Sequence, residues 1–240
     1  MQRPYPVSAR HTIGQMLPDL MFGCLTQILP DRVPAEGAGT MWNPMMRGGP
    51  SAIDPAVART TRRFTRNFDT ILFNCGGTGA RPTKDGLHTT AFPSGVRTVP
   101  AEAVENTTPM IVWRKEFREG SAGAGRWRGG VGQVLEIACE DDAPFSVAAM
   151  FERTKFAARG FHGGQDGAAG IARLQSGSAL RGKGRQSIPD GDRLHIELPG
   201  GAGWGDAFAR EARYGRGVDA AIGRIVILDD LGDVALGLSG

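Results

Sequence analysis

The chain has 240 residues, 40% of them hydrophobic, and its 28 basic and 25 acidic side chains leave a net charge of +3. That much apolar material excludes a disordered chain, and basic residues interleaved with acids exclude an electrostatic nucleic-acid platform despite a pI of about 9.0. Three widely spaced cysteines, no signal pattern and no apolar run of about 18 residues argue against a disulfide framework or membrane span and for a soluble, cytoplasmic protein.

The 36 glycines are about twice the ordinary share and follow no collagen period, so the expectation is many tight turns in a β-rich fold. Arg3-Pro4-Tyr5-Pro6 reads as extended chain, because each proline biases the residue before it away from helix. Next, Ile13, Met16, Leu17, Leu20, Met21, Cys24, Leu25 and Ile28 recur in steps of three and four, the period of a buried helix face. Pro18 suits a first turn and Pro30 a stop, which places a packing helix over 18–29. Trp42 and its neighbouring methionines fill core gaps or line a pocket. The stretch 64–73 fits a strand anchored by Phe64 and Phe68.

A loop over 74–95 follows, and the chain is organised around it. Gly76, Gly77, Gly79, Gly86 and Gly95, with Pro82 and Pro93, exclude regular structure. The loop nevertheless carries Arg81, Lys84, Asp85 and His88, and polar loops held on a scaffold are where chemistry tends to sit. A merely solvated connection is the competing reading.

Beyond Val96 the pattern turns β-like. Strands are expected over 110–118, 134–139, 145–151, 171–174 and 193–198. In the last of these, Leu194, Ile196 and Leu198 alternate inward, which puts His195 on the solvent face. Past Asp206 the pattern weakens until 222–228, and the end looks frayed. The expected class is α+β: a short helical region, then an antiparallel, glycine-rich β region. Its parts are 1–97 with the central loop, 98–208 rich in β, and a divergent tail over 209–240.

Known site motifs fail. Gly77-Thr-Gly79-Ala-Arg-Pro82 starts like a dinucleotide fingerprint but ends in proline with no helix after it. Gly177 to Gly184 resembles a Walker A loop with Gly184 where Ser or Thr should hold Mg²⁺, so a glycine-rich hairpin is the better reading. The four histidines lie far apart and form no metal-ligand spacing. Only His88, three residues after Asp85, has charged company, and a loop histidine making ordinary hydrogen bonds remains the alternative. Cys75 is a conceivable nucleophile, although free cysteines are usually buried and inert.

Several segments together resemble the hydantoinase B family, which includes N-methylhydantoinase B subunits, 5-oxoprolinase regions and acetone carboxylase α subunits. In family order they are Arg3-Pro4-Tyr5-Pro6, Met16-Leu17-Pro18-Asp19, Asp31-Arg32-Val33-Pro34-Ala35-Glu36-Gly37 and Gly76-Gly77-x-Gly79-Ala80-Arg81-Pro82-x-Lys84-Asp85-Gly86. Ser121 to Gly132, Glu152-Arg153-Thr154-Lys155, Gly191-Asp192-Arg193 and Pro199 to Asp206 complete the series. Family members are much longer, and an Asn-Asp-Pro-Tyr-type segment in their N-terminal half, similar to a metal site, has no counterpart here. The resemblance therefore implies a C-terminal portion.

It also implies ATP-dependent hydrolysis of a hydantoin- or 5-oxoproline-like cyclic amide. ATP and Mg would be bound by a hydantoinase A-like partner, and a divalent metal by a separate N-terminal half. Ketone carboxylation and a non-catalytic interaction module are the alternatives. Residue chemistry makes Arg81 or Lys84 donors to developing negative charge, His88 a proton shuttle and Asp85 its orienting group.

Overall fold

The computed structural model describes residues 10–39, 41–49 and 67–210. The expected extended start at Arg3 to Pro6, the Phe64 anchor and the tail beyond 210 lie outside these residues. The fold is α+β and mostly β. Helix α1 (Arg10–Leu25) opens it, followed by strands β1 (Met45–Gly48) and β2 (Phe68–Ile71) and a short helix α2 (Ala101–Thr107). Strands β3 (Met110–Arg118), β4 (Gly132–Cys139), β5 (Phe145–Met150), β6 (Ile171–Leu174), β7 (Lys183–Ile188) and β8 (Leu194–Glu197) complete it.

The strands form two antiparallel four-stranded sheets, ordered β2-β1-β5-β7 and β3-β4-β8-β6. They share one core. Met46, Phe145, Val147 and Ile188 from the first sheet meet Leu135, Ile137, Leu194 and Ile196 from the second. Trp42 stacks on Phe151 at 4.4 Å between ring centroids and donates its indole N–H to the Glu152 carbonyl at 3.1 Å, so its polar edge is satisfied inside the core. The gap-filling role read for Trp42 and Met46 holds. β1, β7 and α2 escaped the sequence reading, being short or, in β7, largely exposed and polar.

The glycines explain what joins the sheets to the loop. Extended segments around 35–38, 76–80, 122–130, 158–167 and 199–205 lie against one another outside the sheets and exchange backbone hydrogen bonds. Gly130 N donates to Thr78 O, Gly201 N to Gly130 O, Ala80 N to Ala202 O and Ala35 N to Ala80 O. A Cβ on Gly77 would overlap the Gly130 carbonyl, and one on Gly201 the Thr78 carbonyl. These glycines therefore serve close backbone packing rather than the tight turns expected of them. Gly177 is an exception: at φ 103° it turns β6 back into the hairpin foreseen there.

Two expectations about the helix fail. It begins at Arg10 rather than at Pro18, and Pro18 lies inside it. An interior proline costs about 3 kcal/mol, but α1 is tied down by tertiary bonds on both sides of Pro18. Met41 N donates to Gln15 Oε1 at 3.1 Å and Gly37 N to Asp19 Oδ1 at 3.4 Å. The face is also inverted. Thr12, Gln15 and Asp19 are buried, while Ile13, Leu17, Leu20 and Met21 are 66, 49, 65 and 60% exposed. The hydrogen-bonding partners of Gln15 and Asp19 decide the orientation, not the apolar period.

Candidate functional site

A cavity of about 280 Å³ opens between α1, the strip Pro34 to Gly39 and the central loop. Its walls are largely apolar or glycine backbone, with Met41, Cys75, Leu87 and Phe92 among the side chains. Asp19, Thr78, Arg81 and Thr90 supply the polar groups. Mostly apolar concavities with a few convergent polar groups are the usual form of small-molecule sites.

Asp19 is the chemically distinctive residue. Arg153 Nη2 lies 3.0 Å from its Oδ2, and the other terminal nitrogen of Arg153 reaches Glu36 Oε2 at 2.8 Å. Glu36 also accepts from Arg159, through the backbone N–H at 3.0 Å and the guanidinium at 2.7 and 2.8 Å. Burial pushes the Asp19 carboxyl up to about 6 even against the guanidinium beside it. Burial also raises Glu36, but its bonds to Arg159 and Arg153 outweigh that and hold it below the usual carboxylate range. One carboxylate of the pair is thus held as an anion, and the other takes up its proton at higher pH than an ordinary carboxylate. Sequence reading missed this trio as a site, since Arg153 lies 134 residues from Asp19 and 117 from Glu36. The resemblance touched all three segments, but no local pattern joins them.

Of the four residues singled out in the central loop, Arg81 and Lys84 close a tight turn and Asp85 and His88 follow it, each with different surroundings. Arg81 lines the cavity, and its Nε and Nη2 donate to the Asp85 carbonyl at 3.2 and 2.6 Å. Lys84 pairs with Arg81 through backbone bonds, and its side chain is exposed. The Asp85 carboxylate accepts the Arg128 N–H at 2.8 Å and the Arg210 guanidinium at 2.9 and 3.0 Å. His88 Nδ1 accepts the Val131 N–H at 3.0 Å, and burial lowers its proton affinity. Asp85 and His88 therefore staple the loop to the segment 126–131, and neither is among the residues lining the cavity.

Other candidates resolve as follows. Cys75 lines the cavity, but burial pushes its thiol up to about 11, which leaves little thiolate at neutral pH. His195 is not on a solvent face: it is 4% exposed, with Nε2 3.1 Å from Glu197 and Nδ1 3.7 Å from Glu136. Arg193 and Arg118, paired to those glutamates at 2.9 Å each, cover the outer side of the sheet. Among the described residues no group of three His, Cys, Asp or Glu side chains could hold a metal ion. No helix among them is long and apolar enough to cross a membrane.

The profile of the family described as Hydantoinase B/oxoprolinase matches residues 1–207. The chain belongs to that family. A protein named as the B subunit of a D-/L-hydantoinase in Pseudomonas sp. (strain NS671) is 28% identical over 219 residues, covering 87% of this chain and 34% of that one. Its name implies a further subunit for that protein. Among solved structures, an ATP-dependent caprolactamase from Pseudomonas jessenii superposes with a TM-score of 0.62 at 20% identity, covering 83% of this chain and 34% of its own. A nucleotide-free acetone carboxylase, described as acting in ATP-dependent acetone carboxylation, gives 0.60 at 17%, covering 82% and 30%. At these identities the structures speak to the fold. The chain spans about a third of each of these proteins, and part of the cavity lining, Asp19, Pro34 to Gly37 and Gly76 to Arg81, comes from stretches that carry the family likeness.

Proposed function

We propose that this chain forms the C-terminal portion of a hydantoinase B-type polypeptide that hydrolyses a cyclic amide of the hydantoin or 5-oxoproline kind. A hydantoinase A-like partner would bind ATP and Mg, and a separate N-terminal half would carry the family's metal. The observation that supports this reading most is the juxtaposition, in one cavity, of Asp19, the Pro34 to Gly39 strip and Arg81, all from family segments.

The cavity suits a small, largely apolar ring with one or two polar edges. Arg81 is held at its edge by the Asp85 carbonyl, and its Nη1 makes no hydrogen bond among the described residues, so it serves as the donor to negative charge developing on an attacked carbonyl. Asp19, titrating near 6, carries a proton for a departing nitrogen. Asp85 and His88 act as positioning residues through the bonds that fasten the loop. Phosphoryl transfer from ATP would supply the activation of the amide. The described residues offer no ligand cluster of their own for the family's metal.

The test is ATP turnover with hydantoin, 5-oxoproline and acetone plus bicarbonate, using this chain alone and then with a hydantoinase A-like subunit and an N-terminal half. Ring opening coupled to ADP release only in the complete mixture is the expected result. Arg81→Ala should then lower kcat/KM by about 10²–10³-fold with assembly intact. Unchanged turnover in that variant removes the Arg81 role. Turnover only with acetone and bicarbonate replaces hydrolysis by carboxylation. Assembly with no turnover at all leaves an interaction module.

A further inference from the structure

The outward stripe of α1 has the chemistry of an interface. Ile13, Leu17, Leu20, Met21, Cys24 and Leu25 lie along it at steps of three and four, all exposed, and none of the described residues covers them. Such a stripe is how a helix packs on another element. The helix cannot bury it by turning over. Its opposite side is anchored by the Gln15–Met41 bond, the Asp19–Gly37 bond and the Asp19–Arg153 ion pair.

The length of the relatives identifies what belongs there. The Pseudomonas hydantoinase protein, the caprolactamase and the acetone carboxylase each leave about two thirds of their own length unmatched. An obligate interface looks like a domain core cut in half, and an exposed apolar helix face on a chain that spans a third of its relatives' length is such a surface. Phe22, which is not part of the stripe, stacks at 6.4 Å on Phe92 of the cavity lining and adds a further anchor on the inward side of α1.

We infer that the outward face of α1 seats the part of a hydantoinase B family polypeptide lying outside the matched third. The inference rests on family membership and the exposed face, not on the chemistry proposed above.

Cys24 reports it. It is the exposed cysteine on α1, whereas Cys75 and Cys139 are buried, with thiols pushed up to about 11 and about 12. In the 240-residue chain Cys24 should react with a disulfide dye as a free thiol does, at a rate independent of protein concentration. The chain is then co-produced with the unmatched part of the Pseudomonas hydantoinase protein. It is also built into a chimera in which residues 1–207 replace the matched third of that protein, which keeps the two pieces at high effective concentration. Cys24 labelling should slow about tenfold or more in the chimera and in any complex recovered. A Leu17→Glu/Leu20→Glu double variant should restore fast labelling while leaving the circular dichroism and urea midpoint of the free chain unchanged.

Fast labelling of Cys24 in the folded chimera overturns the proposal. So does slow labelling in the free chain, which would mean cover by its own residues if independent of concentration, or by a second copy if not. Labelling and turnover are separate readouts. A protected Cys24 without turnover keeps the docking and removes the proposed chemistry, and turnover with an exposed Cys24 does the reverse.

Discussion

At Asp19 two tendencies oppose each other, and burial wins over the neighbouring guanidinium. A folded-state value of about 6 against an ordinary 3.8 means that the folded protein holds the proton more tightly than the unfolded chain. The stability linked to this group is therefore fully present below about pH 4, is lost as pH rises to about 6, and changes no further above that. The loss is about 3 kcal/mol for a shift of this size. Urea titrations of wild type and Asp19→Asn across that range should show wild type losing ground to the variant by roughly this amount as the pH rises. A difference that moves the other way would mean that the Arg153 pair outweighs burial. Arg153→Met should cost about 3–5 kcal/mol, because it leaves the buried Asp19 carboxyl without its ion partner and removes one of the two that Glu36 has. A urea midpoint near wild type would show that water takes the guanidinium's place.

At the scale of elements, glycine does two opposite things. Gly14 lies exposed in the interior of α1, with open space for 4 Å around the position a methyl would take, so Gly14→Ala should stabilise the fold by about 0.5–1 kcal/mol. Gly77 packs backbone to backbone against Gly130 and Gly201, so Gly77→Ala should cost about 3 kcal/mol or more and disturb the cavity floor. Thermal melts of both variants check the contrast, and a tolerated Gly77→Ala would mean that the packed segments can part without loss. Asp85→Ala belongs to the same scale. It removes the acceptor for both the Arg128 N–H and the Arg210 guanidinium, and should loosen the loop 81–88 before it weakens the sheets. Limited proteolysis should find the new cleavage there.

Across the whole molecule, stability is concentrated between the two sheets. All eight residues of β4 are buried, and β8 contributes Leu194 and Ile196 to the same core, while α1 turns its apolar side to solvent. Native-state hydrogen exchange should find β4 and β8 amides among the slowest and those of α1 much faster. In the chimera, α1 should slow and β4 should not. Equal protection of α1 and β4 in the free chain would show that the helix is already fully seated.

The sequence alone determined the class of fold and most of the strands. Alternation of apolar residues is a local property, and it marked 134–139, 145–151, 171–174 and 193–198 because those strands bury one or both faces in the same core, whereas in 110–118 it found the strand although Trp113 and Phe117 turn out exposed. It also carried the family likeness through short ordered segments. Three things were decided only by tertiary structure. The direction α1 faces depends on what Gln15 and Asp19 meet, and a periodic stripe carries no label saying whether it faces the core or a partner. His195 is buried because Glu136, Glu197 and the arginines around them close over it, although its strand parity pointed outward. The cavity itself brings Asp19 and Arg81 together from distant parts of the chain and sets the proton affinity of Asp19 by burial, a quantity that exists only once the chain has closed around it.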